Sequence, residues 1–192
     1  MQPNDLRAMV LASLFAALTA VGALIAIPIG PVPIVLQNFF VMLMGLLLGP
    51  RWGLAGVGVY LLAGALGLPV FAGGASGLAR FAGPTGGYLA GYLPCVALIG
   101  GIAARGRGHR IIDALALVCG TAALYACGVS WLTVVTGLDW GRALALGAVP
   151  FLPGDIAKMI AAVLLAPSLR RLLGDPQPAD RDSAAAPLET SP

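Results

Sequence analysis

Charge is scarce in this chain. Only 10% of its 192 residues are charged, against 59% hydrophobic residues and a mean hydropathy of +0.93, whereas soluble domains carry about 25% charged and roughly 45–50% apolar residues. That balance excludes an ordinary soluble globular protein. There is one lysine, Lys158, and one histidine, His109; every other basic residue is arginine. Metal clusters and histidine-based catalytic triads lack their ingredients. The three cysteines, Cys95, Cys119 and Cys127, are odd in number and lie within apolar stretches, which argues for packing and against a disulfide framework. The glycine-rich run Gly73-Gly74-Ala75-Ser76-Gly77 has no lysine beside it, so it cannot cradle phosphates as a nucleotide-binding loop does. His109 stands among Arg105, Arg107 and Arg110 as a solvated turn, and no nucleic-acid surface is expected there.

What the chain has instead is long apolar runs. No charge occurs between Arg7 and Arg51, and Pro28, Gly30, Pro31 and Pro33 divide that run into two helices, about 6–27 and 34–48, joined by a stiff turn. Further helices are expected over about 51–67, 84–104 and 111–136, with a sixth starting at Pro153; residues 68–83 and 137–147 read as loops. A span needs roughly 20 residues, so six take about 120 of the 192 and leave no room for a separate soluble domain. The expected fold is an all-α integral membrane protein of six transmembrane helices, with residues 1–174 forming the membrane domain. Residues 175–192, proline-rich and charged, read as a disordered cytoplasmic tail. The N-terminal apolar run continues past its one small-residue stretch to Ile29 and reads as a span, not a cleaved leader.

Arginine distribution sets the orientation. Arg7, Arg51, Arg105, Arg107, Arg110, Arg170, Arg171 and Arg181 fall on the side of the termini, and only Arg80 and Arg142 on the other. The positive-inside rule then places both termini in the cytoplasm.

Asp155 and Lys158 are the anomaly. Counting back from Arg170, they lie about 22 and 18 Å deeper at about 1.5 Å per residue, inside the outer half of a core about 30 Å thick. Each such charge costs about 2.5–3.5 kcal/mol on insertion scales. Three residues apart on a helix, they are neighbours of opposite sign, and Asp155 sits at the positive end of the helix dipole. Mutual neutralisation alone is the plain alternative, but a pair that only cancels itself could be replaced by leucines with little loss. At similar height lie Gln37 and Asn38 in the second span, Arg80 in the loop, and Thr85, Tyr88 and Tyr92 at the start of the fourth. These groups are expected to converge on an outward-open cavity, with Phe71, Trp131 and Trp140 as wall or as interfacial anchors. One anion, two cations, amides and apolar walls suit a small amphipathic solute bearing a carboxylate. The first helix also repeats a small residue every fourth position, at Ala8, Ala12, Ala16 and Ala20, a strip suited to close helix approach, either by a partner protein or within the bundle. Gly83, Gly87 and Gly91 form a second strip, expected to serve packing or close approach to a ligand.

Several ordered motifs carry a family resemblance: Ile27-Pro28-Ile29-Gly30-Pro31-Val32-Pro33 followed by Gln37, Gly45-Leu46-Leu47-Leu48-Gly49-Pro50-Arg51, Gly67-Leu68-Pro69-Val70-Phe71, Gly83-Pro84-Thr85-Gly86-Gly87-Tyr88, and Pro150-Phe151-Leu152-Pro153-Gly154-Asp155 with Lys158. Over about residues 6–173 the chain resembles the biotin transporter family BioY. The resemblance implies the substrate-binding (S) component of an energy-coupling factor (ECF) importer in the cytoplasmic membrane, working with a transmembrane coupling protein and ATPase subunits that consume the ATP. It implies no cofactor of its own and leaves self-association open. It also implies biotin held by Asp155 and Lys158 at its cyclic urea and by Arg80 at its carboxylate, with Gln37, Asn38, Thr85 and Tyr88 around it, and Ala8, Ala12, Ala16 and Ala20 as the docking strip. Another carboxylate-bearing vitamin or precursor is the alternative ligand, and an intramembrane enzyme using Asp155 and Lys158 as acid and base is the alternative class.

Overall fold

A computed structural model describes residues 3–27, 32–106 and 108–173. The expected tail, 175–192, and Pro28 to Pro31 of the expected turn lie outside the described residues. Helix α1 covers Pro3–Leu24, and a two-residue antiparallel ladder follows, β1 (Ala26–Ile27) with β2 (Ile34–Val35), which pairs Ala26 with Val35 and Ile27 with Ile34. Helix α2 covers Gln37–Ala65, a 3-10 turn Ala72–Gly74, the single-turn α3 Ala79–Ala82, α4 Gly86–Arg105, α5 Arg110–Thr136, α6 Trp140–Gly147 and α7 Leu152–Leu173. Among the described residues, four helices are long and apolar enough to cross a membrane, and α6 with α7, bent by 51° where they meet, make a fifth candidate. The chain is therefore an all-helical, multi-pass membrane protein.

Expected boundaries hold to a few residues, and three features depart from them. First, residues 34 and 35 are strand, because Leu36 N–H bonds back to the Ile25 carbonyl at 3.3 Å and ties the turn into a ladder. Second, the expected loop 137–147 contains α6. Gly137 stops α5 in the left-handed region (φ 69°), and the Asp139 carboxylate then caps α6 by accepting from Arg142 N–H at 3.1 Å. Third, the expected loop 68–83 contains the 3-10 turn and α3. The expected separation of the second and third helices holds: α2 is two helices that meet at Gly49, whose φ of 72° and ψ of −175° are not helical. Glycine tolerates that conformation without a Cβ clash. Beyond the break the chain doubles back: a β-carbon on Gly56 would stand 2.6 Å from Met44 Sδ and 3.0 Å from the Ala12 carbonyl. The two parts of α2 therefore lie side by side, with α1 against them.

This packing covers the alanine strip. Ala8, Ala12 and Ala16 are 1, 4 and 5% exposed and Ala20 is half-buried, because their small side chains let α2 approach closely. Of the two expected uses of the strip, packing within the bundle is the one seen in this chain. The outward face of α1 is Leu6, Val10, Leu14, Val21 and Leu24, all more than half exposed. Gly87 and Gly91 likewise serve helix packing. A β-carbon on Gly87 would run into Trp131, and one on Gly91 would crowd Cys127 and Leu124 of α5.

The elements fall into two ends. β1 and β2, the starts of α2, α4 and α7, the 3-10 turn, α3, α6 and the end of α5 share one end. The Gly49 break, the ends of α4 and α7 and the start of α5 share the other.

Candidate functional site

Helix α7 begins one residue before Pro153, where a missing N–H costs nothing, and its first turn lifts Asp155 into the bundle. Asp155 is 1% exposed. Its carboxylate accepts from Lys158 Nζ at 2.9 Å, one helical turn on, and from the Tyr125 hydroxyl of α5 at 2.6 Å. The Asn38 amide of α2 adds long contacts at 3.4 and 3.5 Å. The Tyr92 hydroxyl of α4 donates to Asn38 Oδ1 at 2.6 Å, which turns the amide nitrogen toward the carboxylate. Lys158 Nζ donates also to the Val35 carbonyl at 2.7 Å. Donors from α2, α5 and α7 thus meet on one carboxylate, with α4 and the β2 strand one bond further out, through Asn38 and Lys158. An ammonium has three N–H donors; two of those on Lys158 are used, and the third has no acceptor among the described residues.

The space beside this cluster has two parts. A recess of about 40 Å³ is lined by Asp155, Lys158, Tyr125, Asn38 and Phe151. A larger cavity of about 370 Å³ is lined by Gln37, Phe71, Arg80, Thr85 and Leu89, a size within the roughly 300–1,000 Å³ usual for ligand pockets. Val32, Pro33, Val35, Tyr88 and Tyr92 line both, so the ion pair lies one layer of side chains from the main cavity. Gln37 is 2% exposed and its Nε2 has no partner among the described residues. A buried amide N–H left unpaired costs about 1–3 kcal/mol, and a ligand acceptor in the cavity would recover it. Arg80 is exposed, and no ion pair holds it among the described residues.

Phe71 is a wall, as expected. It is 2% exposed and meets Tyr60 and Phe81 edge-on, at 5.7 Å between centroids in each case. The two tryptophans are not walls. Trp131 Nε1 donates to the Gly83 carbonyl at 3.0 Å on the outer side of α5, and Trp140 is 59% exposed on α6. Interfacial anchoring is the use that remains for both. Tyr88 lines the cavity with its ring, but its hydroxyl is committed to the Gly147 carbonyl at 2.6 Å. The ring fits a slot on Gly128, where any β-carbon would overlap it.

Of the residues expected at the site, Asp155, Lys158 and Asn38 line the recess, Gln37, Arg80 and Thr85 line the main cavity, and Tyr88 lines both. Sequence reasoning missed Tyr125 and the Val35 carbonyl. Tyr125 carried a signal, since a phenol in the middle of an apolar helix needs a hydrogen-bond partner. The carbonyl carried none, because only the fold makes it an acceptor.

A ligand-sized cavity with an ion pair in the recess beside it, set at one end of an all-helical membrane bundle, defines a solute-binding membrane protein. Comparison with known proteins narrows that class. The BioY family profile matches residues 1–175. The chain is similar to a probable biotin transporter BioY of Pyrococcus horikoshii, 44% identical over 160 residues that cover 83% of this chain and 94% of the relative. It is similar also to the biotin transporter BioY of Thermotoga maritima, 41% identical over 167 residues, 87% and 98% of the two chains. In structure it is similar to the S-component for biotin from an ECF-type ABC transporter, with a TM-score of 0.83 at 32% identity, covering 89% of this chain and 95% of that one. The chain belongs to the BioY family.

Proposed function

We propose that this protein captures biotin from outside the cell and carries it across the cytoplasmic membrane as the S component of an ECF-type importer. It is a transporter component, not an enzyme. The observation that carries the reading is the buried Asp155–Lys158 pair, 2.9 Å apart, in a recess that opens beside a cavity also lined by Arg80. Biotin has a cyclic urea with two N–H donors and one carbonyl, an apolar sulfur ring and chain, and a terminal carboxylate. Asp155 accepts from a urea N–H, the spare donor of Lys158 meets the urea oxygen, and Arg80 pairs with the carboxylate. Gln37 supplies its unpartnered amide, while Thr85 and the Tyr88 ring complete the wall. Asn38 acts through Asp155, which it helps to orient.

The two parts of α2, residues 37–48 and 50–65, count as separate crossings in this reading, which gives six with the bent α6–α7 pair. Eight arginines against two put both termini and the Gly49 break in the cytoplasm. The cavity then faces outward. Reorientation of the loaded subunit against a transmembrane coupling protein delivers the vitamin inward, and ATP is hydrolysed by partner subunits. This chain needs no cofactor.

The test is equilibrium binding of labelled biotin to the purified protein in detergent, with desthiobiotin and lipoate as competitors. Saturable binding in which biotin outcompetes lipoate is expected. Absence of high-affinity biotin binding alongside tight binding of another carboxylate-bearing vitamin moves the same architecture to a different ligand.

A further inference from the structure

Helix α7 carries the ion pair, yet its own packing is thin. Asp155, Ala162 and Ala166 are its fully buried residues, while Met159, Val163, Leu169 and Leu173 pack on the core only partly buried, so between its ends the helix rests on a non-directional apolar face. Directional bonds stand mainly at the two ends and run to the same two helices, with one weak contact between them, from the Thr121 hydroxyl to Met159 Sδ at 3.7 Å. At the cavity end Asp155 meets Tyr125 of α5 and Asn38 of α2. At the other end Arg170 grips α5 and α2 again. Its Nη1 donates to Asp113 Oδ2 at 2.7 Å, and its Nη2 donates to Asp113 Oδ1 at 2.9 Å and to the Leu46 carbonyl at 3.0 Å. Asp113 is completely buried and the Arg170 side chain is 18% exposed.

The Leu46 carbonyl lacks a helical donor. In an unbroken helix it would accept from the N–H of residue 50, but residue 50 is proline and has none. The chain turns away at Gly49 (φ 72°), and the guanidinium supplies the missing donor. A planar fork with several fixed donors serves carboxylate and carbonyl together, which an ammonium cannot do as well.

We infer that Arg170 and Asp113 are positioning residues for ligand binding: at about 22 Å along α7 from Asp155, they fix the height and rotation of this helix against α2 and α5. A slip of one residue is about 1.5 Å of rise with about 100° of rotation. It would part the 2.6 Å Tyr125–Asp155 bond and the 2.7 Å Lys158–Val35 bond together. The inference rests on reading Asp155 and Lys158 as ligand contacts.

The experiment uses the full chain in detergent with Asp113→Leu and Arg170→Met combined, so that neither charge is left buried alone. Two quantities are read: the Kd for labelled biotin, and the ¹⁹F resonance of 3-fluorotyrosine at position 125 without ligand. We expect at least a tenfold weaker Kd together with a shifted or broadened resonance. A wild-type Kd overturns the inference whatever happens to stability, and a weakened Kd with an unmoved resonance overturns it too, because affinity was then lost by another route. If the double variant does not fold, Arg170→Lys is read in its place; a weaker Kd and a moved resonance are again expected, and wild-type values overturn the inference. Asp155→Asn serves as the separate control. Wild-type affinity in that variant removes Asp155 from the ligand site, while the fluorine resonance still decides whether the distant pair sets the helix.

Discussion

Changing Lys158 to Met strips Asp155 of its cationic partner and separates a binding role from simple neutralisation. The carboxylate is 1% exposed. It would keep the Tyr125 hydroxyl at 2.6 Å and an Asn38 amide no closer than 3.4 Å. Stranding one member of a buried pair costs about 3–5 kcal/mol, and for a chain of this size each kcal/mol lowers Tm by about 2–4 °C, so a fall of about 6–20 °C is expected. Asp155→Leu added to Lys158→Met removes both charges at once, which is often neutral or stabilising by about 1–4 kcal/mol. Against that gain, the Tyr125 hydroxyl and the Val35 carbonyl lose partners at about 1–3 kcal/mol each. The double variant should therefore recover most of the lost Tm. Binding should not recover. Two desolvated hydrogen bonds to charged groups contribute about 1.5–3 kcal/mol each, and at about 1.4 kcal/mol per tenfold their loss weakens biotin by roughly 10²- to 10⁴-fold. Thermal unfolding and a fluorescence titration on the same samples read both effects. A double variant that is stable and binds biotin as tightly as wild type would refute the reasoning, because the pair would then do nothing but cancel itself.

Other substitutions test separate parts of the structure. Arg80→Gln should weaken biotin but leave the affinity for biotin amide, which lacks the carboxylate charge, nearly unchanged; equal losses for both ligands in a competition assay would remove Arg80 from the carboxylate. Gly56→Leu forces a large side chain between α1 and α2, where even a β-carbon would meet Met44 Sδ at 2.6 Å. It should destabilise by about 1–3 kcal/mol or more. Gly58, two residues on, faces open space, with nothing within 4 Å of where a β-carbon would stand, and Gly58→Ala should stabilise by about 0.5–1 kcal/mol through helix propensity alone. Thermal unfolding of the two variants in one detergent checks the contrast, and similar losses in both would show that the α1–α2 contact does not govern their effect.

Much of the site was legible because charge is so rare here. In a chain of apolar helices, Asp155 and Lys158 stand out, and their spacing of three already places them on one helical face. Gln37, Arg80 and Thr85 could be grouped by height for a similar reason: few polar residues exist near that level. The division into a recess and a main cavity was not legible. It depends on Val35, Tyr88 and Tyr92, whose side chains become a shared wall only when β2 and α4 meet. The Asp113–Arg170 pair was also invisible, since Arg170 reads from sequence as one more boundary arginine and Asp113 as an acid in a first turn, 57 positions apart along the chain.

Composition and hydropathy by themselves determined the solvent, because apolar runs of this length cannot remain in water and a sequence this poor in charge cannot build a soluble surface. Helix start and stop residues determined where most elements begin and end, since caps, prolines and glycines act within a turn of where they stand. Only the tertiary structure decided which face of each helix is covered. The spacing of Ala8, Ala12 and Ala16 marks a close-packing face but says nothing of what packs on it, and the return of α2 beyond Gly49 brings its own chain there first. The same holds for the carboxylate of Asp155: its cost inside a membrane can be read along the chain, while the donors from α2 and α5 that offset it are assembled only by folding.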